Sequence, residues 1–268
     1  MTRIIVITSG KGGVGKTTAT ANIGSALARL GNKVALVDAD FGLRNLDLLL
    51  GLENRVVYTA IDVINGDCRL EQALVKDKRR NGLVLLPAAQ SRGKEAITRE
   101  QMKDIVTRLA PNYDYVVIDC PAGIEMGFQN AIAPATEALI VTTPEVAAVR
   151  DADRVIGLLE ANSVSNIKLV VNRVKPDMIQ ANDMMSVEDI LEILAIPLIG
   201  IIPDDERVIV SSNRGEPLVL DEKLSTPGLT FNNLARRITG DEVRFVDLMA
   251  NQDTLLNRIR RWFTEPSQ

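Results

Sequence analysis

Seven short apolar runs set the terms on which this chain can fold: RIIVIT (3–8), VALVD (34–38), LVLLP (83–87), YVVID (115–119), ALIVTT (138–143), KLVVN (168–172) and LIGIIP (198–203). Each has the length of a strand. None shows the polar–apolar alternation of a half-solvated strand, so each reads as covered on both faces. Between them lie stretches of helical periodicity, among them 16–30, 99–109, 150–161 and 186–195. Regular alternation of this kind predicts a three-layer α/β/α domain around a mostly parallel central sheet. Composition agrees: 46% of residues are hydrophobic but only 3% aromatic, so Val, Ile, Leu and Ala must build the core. No internal repeat or low-complexity segment interrupts the pattern.

The first run empties into a loop of glycines. SGKGGVGKTTA (9–19) places Gly10, Gly12, Gly13 and Gly15 around Lys11 and Val14, and Lys16, Thr17 and Thr18 follow where a helix begins. Strand, glycine loop and helix in that order form a phosphate cradle. The glycines let backbone amides turn inward, and the helix N-terminus adds partial positive charge. In the pattern Gly10-x-x-x-x-Gly15-Lys16-Thr17, Lys16 is expected to reach the β- and γ-phosphates of a nucleotide and Thr17 to offer its hydroxyl to Mg²⁺. Lys11 is surplus to that pattern.

Carboxylates stand where α/β folds place ligand-facing groups, just past strand ends. Asp38 and Asp40 follow the second run. Asp119 closes YVVID, where a carboxylate can hold a Mg²⁺-bound water. Asp38 and Asp40 also suit an ordinary turn. The chain has no histidine, which excludes aspartate–histidine and nucleophilic triads. Phosphoryl transfer to water needs only positioning and charge neutralisation, so lysines, carboxylates, amides and a metal ion suffice.

The run K-G-G-x-G-K-T-T at 11–18 resembles the deviant Walker A loop of the ParA/MinD family of P-loop ATPases. The resemblance extends over essentially the whole chain. GLRNLDLLLGLENRVVY, LPAAQSRGKEA, TPEVAAVRDADR, EDILEIL and SSNRGEPL are similar to the septum-positioning branch of that family, although TPE stands where NPE is common. The resemblance implies ATP hydrolysis in a face-to-face ATP-bound homodimer, with Lys11 contacting phosphates bound by the other subunit. Two nucleotides facing each other across a seam do need counter-charge from across it. Lys11, Lys16 and Asp40 then form the catalytic set, Asp40 orienting the attacking water. Thr17, Asp38 and Asp119 surround Mg²⁺, and Gly123 stands where a switch glycine senses the γ-phosphate. The segment Gly10–Thr18 binds the nucleotide with Asn172 at the adenine edge and Pro203 at its face. The implied partners are a MinC-like division inhibitor and a MinE-like activator. Asp151 and Asp153 lie in the segment matching the partner-facing helix.

After residue 240 the periodicity fades, and 241–253 reads as a connector between an ATPase domain (1–240) and a terminal helix (254–264). On a helix Leu255, Leu256, Ile259, Trp262 and Phe263 share an arc of roughly 120°, flanked by Arg258, Arg260 and Arg261. Such a face reads as an interfacial membrane helix, and the resembling branch carries one at this end. A last helix packed on the domain, or bound to a partner protein, is the alternative. Each apolar side chain contributes on the order of 1 kcal/mol, so one tail binds weakly. Two tails in one dimer gain ~10²-fold or more by effective concentration.

The expected location is cytoplasmic and peripheral on the inner face of the cell membrane. RIIVITSG begins two residues in, leaving no room for a signal peptide, and no apolar run is long enough to span a bilayer. Net charge is −4 with pI ≈ 5.1, so no global field draws the chain to nucleic acid. DNA binding is therefore not expected. A DNA-partitioning ATPase with the same loop is the rival reading, and KDKRR (76–80) is its only basic cluster. An iron–sulfur ATPase would need cysteines placed to share a cluster, and Cys68 and Cys120 show no such spacing. A scaffold that binds ATP without hydrolysing it is a further alternative.

Overall fold

A computed structural model of the chain describes residues 1–77, 79, 82–89 and 97–248. The strands are β1 (Arg3–Thr8), β2 (Val34–Asp38), β3 (Val75–Lys76), β4 (Leu83–Leu86), β5 (Tyr115–Asp119), β6 (Glu137–Thr142), β7 (Asn166–Val174) and β8 (Leu198–Pro203). The helices are α1 (Lys16–Arg29), α2 (Leu46–Leu49), α3 (Ala60–Asn65), α4 (Leu70–Ala73), α5 (Arg99–Leu109) and α6 (Met126–Ile132). They continue with α7 (Val146–Ala161), α8 (Pro176–Gln180), α9 (Val187–Leu194), α10 (Glu206–Arg214) and α11 (Thr226–Thr239). The strands form one sheet in the order β3-β4-β2-β5-β1-β6-β7-β8. Every pairing is parallel except β3 with β4.

Every residue of β2 and of β5 is buried, as strands covered on both faces require. One core packs α3, α5, α6, α7 and α9 on one face of the sheet. The other packs α1 and α11 with the start of α2. Parallel strands put all their carboxyl ends on one edge, and there the glycine loop, both aspartate-bearing loops and the start of α7 converge.

The structure adds elements that periodicity does not reveal. Two-residue β3 is too short for any period. α7 begins at Val146, a turn before the expected 150, and Ala148 and Val149 in that added turn are buried. α11 starts TPGLTFNN, poor in helix formers. Ser225 caps it by accepting from the Gly228 amide, Pro lies in its first turn, and Phe231 and Leu234 are buried. Capping and tertiary packing here override propensity.

Residues 241–248 carry no regular secondary structure but are tied down by side chains of α11, including Arg236, which pairs with Asp241 at 2.9 Å. Arg237 donates to the carbonyls of Val243 (2.8 Å), Arg244 (2.8 Å) and Ile199 (3.0 Å). Its guanidinium lies 4.0 Å from the Phe245 ring centre. Leu255, Leu256, Ile259, Trp262 and Phe263 lie outside the described residues. Among the described residues no helix is long and apolar enough to cross a membrane.

Candidate functional site

The loop after β1 is held by close approaches that only glycine permits. Gly15 sits at φ +97, and a Cβ there would lie 2.3 Å from Asn172 Nδ2. A Cβ on Gly10 would lie 2.3 Å from the Asp151 carbonyl oxygen, so the loop packs directly on the backbone of α7. Asn172 Nδ2 donates to the Val14 carbonyl at 2.7 Å, and Ser9 Oγ donates to the Lys11 carbonyl at 2.8 Å. The loop is thereby fixed from β7 and from within before any ligand arrives.

The loop floors a cavity of about 520 Å³. Gly12, Gly13, Gly15, Lys16, Thr17, Thr18 and Asp40 line one part of it, and Arg173, Ser212 and Asn213 another. Lys16 is 7% exposed, and no ion pair or hydrogen bond ties its ammonium to another described residue. Its counter-charges, Asp119 and Asp40, act from a distance, so an anion in the cavity can make the direct contact that they do not.

Behind Lys16 stand two buried carboxylates. The register of β2 against β5 sets Asp38 directly beside Asp119, on neighbouring parallel strands where paired side chains share a face. Asp38 accepts from the backbone amides of Asp40 (3.0 Å) and Leu46 (3.3 Å), but burial and the neighbouring Asp119 push its carboxyl up. Burial also raises Asp119, against the opposing pull of Lys16, Thr17 and Thr20. Thr20 Oγ1 lies 3.0 Å from Asp119 Oδ1 and 3.0 Å from the Lys16 carbonyl. Its single proton serves one of them at a time. Burial raises Asp40 too, and Lys16 counteracts it. Two adjacent buried carboxylates beside the Thr17 hydroxyl fit a divalent cation, which would relieve their mutual repulsion.

Lys11, Asp151, Asp153 and Pro203 are not among the residues lining this cavity. Lys11 is near half exposed and its Nζ lies 3.1 Å from Glu145 Oε2. Pro203 ends β8, pairing with Val174, away from the cavity lining. Asp151 is half-buried against Gly10, 3.9 Å from Arg154, and Asp153 is exposed further along α7. Sequence reasoning missed Glu145, Thr20, Arg173, Ser212 and Asn213. Thr20 had a signal, one helical turn beyond Lys16 and so on its face. Ser212 and Asn213 had none, since α10 reaches the site only through the tertiary fold.

Comparison with known proteins accounts for this arrangement. Residues 5–218 match the model of the CobQ/CobB/MinD/ParA nucleotide binding domain. The septum site-determining protein MinD of Synechocystis sp. is 67% identical over 261 residues, covering 97% of this chain and 98% of that protein. The MinD of the Aquifex aeolicus MinC:MinD cell division complex superposes with a TM-score of 0.86 at 53% identity, over 91% of this chain and 98% of that one. The Pyrococcus horikoshii MinD, solved with Mg-ADP, gives 0.82 at 32% identity over 90% and 97%. Loop, paired strand-end carboxylates and whole-length similarity together place this chain in the MinD branch of the ParA/MinD family of P-loop ATPases.

Proposed function

We propose that this chain is a nucleotide-switched ATPase of division-septum placement, whose ATP-bound homodimer holds the membrane and recruits a division inhibitor until hydrolysis releases it. The observation that carries the reading is Lys16, a buried ammonium on a cavity floored by the glycine loop, with Asp119 and Asp40 in electrostatic reach but in no direct ion pair with it. Lys16 binds the β- and γ-phosphates, aided by the amides of Gly10–Thr18. Thr17 and Asp119 hold Mg²⁺, with Asp38 behind them. An ion held there would supply positive charge against the phosphates. Asp40, on the cavity wall within electrostatic reach of Lys16, orients the water that attacks the γ-phosphorus. The bond to the β-phosphate oxygen breaks and ADP carries that oxygen away. Lys11 exchanges Glu145 for the nucleotide of a second copy, which makes the dimer specific for ATP.

Residues 1–240 form the ATPase domain, 241–253 the connector and 254–264 the membrane helix, working at the inner face of the cell membrane. The MinC:MinD assembly of Aquifex aeolicus supports an inhibitor partner for this chain, with Asp151 and Asp153 on the helix it faces. A MinE-like activator is the second partner.

The rival DNA reading rests on KDKRR, of which Lys78 and Arg80 lie outside the described residues. Arg79 pairs with the buried Asp77 at 3.2 Å and also donates to the Leu50 carbonyl, so part of its hydrogen-bonding capacity braces the loop after α2. The iron–sulfur reading needs an accessible thiolate. Cys120 is fully buried and its thiol is pushed up to about 12 by burial.

Vesicle co-sedimentation tests the proposal. The chain should pellet with anionic vesicles in ATP and stay in solution in ADP. Trp262→Glu should abolish pelleting with an unchanged melting temperature. Equal pelleting in both nucleotides, or a Trp262→Glu variant that simply unfolds, would defeat the membrane switch.

A further inference from the structure

The loop between β2 and α2 carries Asp40, yet among the described residues no hydrogen bond holds the Asp40 carboxylate. Burial and the charge of Lys16 act on it, so its place is set by its backbone. That backbone is tied at both ends. The Asp40 amide donates to Asp38 Oδ1 at 3.0 Å, and the Asp40 carbonyl accepts from the amides of Leu43 (3.3 Å) and Arg44 (3.2 Å). The turn closes with Arg44 at φ +43, in the left-handed region that a residue with a Cβ rarely adopts. The Arg44 side chain is buried. Its Nε donates to Asp47 Oδ2 at 2.6 Å, the two side chains being 13% and 2% exposed, and its Nη2 donates to the Glu53 carbonyl at 3.4 Å. The other Asp47 oxygen accepts from the Leu48 amide at 3.0 Å. Next to Asp47, the Leu46 amide donates to Asp38. Leu43, Asn45, Leu48 and Leu49 of the same stretch line the cavity.

We propose that Arg44 and Asp47 are positioning residues for hydrolysis: their buried ion pair locks the left-handed turn at Arg44 and so fixes where the Asp40 carboxylate stands in the cavity. This rests on the reading of Asp40 as the group that orients water. The physics favours a locking role over a stabilising one. A buried ion pair adds little net stability, because desolvation offsets attraction, while loss of one partner strands a charge. Backbone in a sparsely populated region persists only where its surroundings over-determine it, and such places cluster at functional sites. Both features occur in the loop that carries Asp40. The far end of α2 is anchored separately. Arg79 donates to the Leu50 carbonyl, and a Cβ on Gly51 would lie 2.8 Å from the Gly215 carbonyl oxygen. With that end fixed, the turn closed by Arg44 is where the loop can still move, and the ion pair spans that turn.

The alternative is a pair that only helps α2 to fold, and the two roles separate experimentally. The full chain is compared as wild type, Asp40→Ala, Asp47→Asn, the double variant Arg44→Gly with Asp47→Asn, and that double change combined with Asp40→Ala. The double variant strands no buried charge and puts glycine, which adopts it without strain, at φ +43. Each is read by single-turnover hydrolysis of Mg-ATP, by calorimetry with Mg-ADP, by sedimentation equilibrium with Mg²⁺ and a non-hydrolysable ATP analogue, and by melting temperature. Asp47→Asn and the double variant should slow the chemical step roughly 10- to 100-fold, the scale of a catalytic group displaced by about 1 Å. Mg-ADP affinity should stay within about twofold and the ATP dimer should persist, since Lys16, the loop amides and Lys11 are untouched. In the Asp40→Ala background the double change should slow hydrolysis by no more than about twofold again, because both act through one group. Unchanged hydrolysis in the double variant would overturn the proposal. A slower step matched by weaker Mg-ADP binding, by loss of the dimer or by melting below the assay temperature would make the pair structural and overturn it too. So would a full further loss in the Asp40→Ala background, which would place the effect elsewhere than Asp40. Unchanged hydrolysis in Asp40→Ala alone would sink the reading of Asp40 itself, a failure visible without any change at Arg44 or Asp47.

Discussion

Glu145→Gln should make the ATP-bound dimer tighter. In the single chain Lys11 is paired with Glu145 at 3.1 Å, and their side chains are 45% and 55% exposed. A Lys11 that serves the other subunit's nucleotide must first leave that partner. Exposed pairs of this kind are worth roughly 0.2–1 kcal/mol. A symmetric dimer breaks two of them, so dimerisation carries a penalty of roughly 0.4–2 kcal/mol. At about 1.4 kcal/mol per tenfold, relieving it should tighten the dimer roughly 2- to 30-fold. Gln keeps the shape and loses the charge. The assay is sedimentation equilibrium with Mg²⁺ and a non-hydrolysable ATP analogue, at low salt and again at about 0.5 M, where screening should shrink the gain. Glu145 also stands at the start of α7, where a negative charge favours the helix by a few tenths of a kcal/mol, so the melting temperature is followed in parallel. An unchanged or weaker dimer in a variant of normal stability would refute the exchange of partners. Lys11→Ala should lose the dimer whatever occupies 145.

Lys16→Ala should lower Mg-ATP affinity by at least about 100-fold, since a charge-assisted contact in a buried site is worth roughly 3 kcal/mol or more; calorimetry at wild-type affinity would remove Lys16 from the site. Asp40→Ala should slow single-turnover hydrolysis about 10²-fold or more while the ATP dimer persists, and an unchanged chemical step would end that assignment. Asp38 and Asp119 are both raised in the folded protein, so folding takes up protons above their unfolded pKa near about 4. Stability of the nucleotide-free protein in EDTA should therefore fall as pH rises from about 4 through the folded values, and level off above the Asp38 value of about 8. Thermal melts between pH 6 and 8.5 read this directly, and a flat or rising profile would contradict the burial of charge described here.

The fold was legible because it is written in strand ends. Continuous apolar runs predict strands covered on both faces, and β2 and β5 are buried at every position. A run that ends in Asp also predicts a carboxylate at the ligand edge, and Asp38 and Asp119 are both there. What could not be read is register. Only the pairing of β2 with β5 makes Asp38 and Asp119 neighbours, and the two lie far apart in sequence. The same holds for Asn172. Its place at a strand end suggests a ligand contact, whereas its hydrogen bond to Val14 depends on how closely Gly15 approaches β7. Arg173 reaches the cavity where the pairing of β7 with β8 is irregular, which no local pattern encodes. Glu145 carries no signal because its partner is a lysine more than a hundred residues away.

The charges around the cavity explain why such a site should respond to the terminal phosphate rather than to nucleotide as such. Asp38, Asp40 and Asp119 are gathered around one buried ammonium, Lys16. A divalent ion offsets the carboxylates, but a triphosphate then brings more negative charge than Lys16 balances. With ADP the deficit is smaller, and loop amides with the helix N-terminus go far to meet it. On the proposed reading the γ-phosphate of ATP would be screened by water until something covers it. Lys11 belongs to the same glycine loop, and in the lone chain Glu145 pairs with it. A second copy facing the first can supply its own Lys11 and exclude water in the same movement, so the contact gains strength as it forms. In the proposed dimer the γ-phosphate would therefore be the group that makes release of Glu145 favourable, and its departure on hydrolysis would remove the reason for the two chains to stay together.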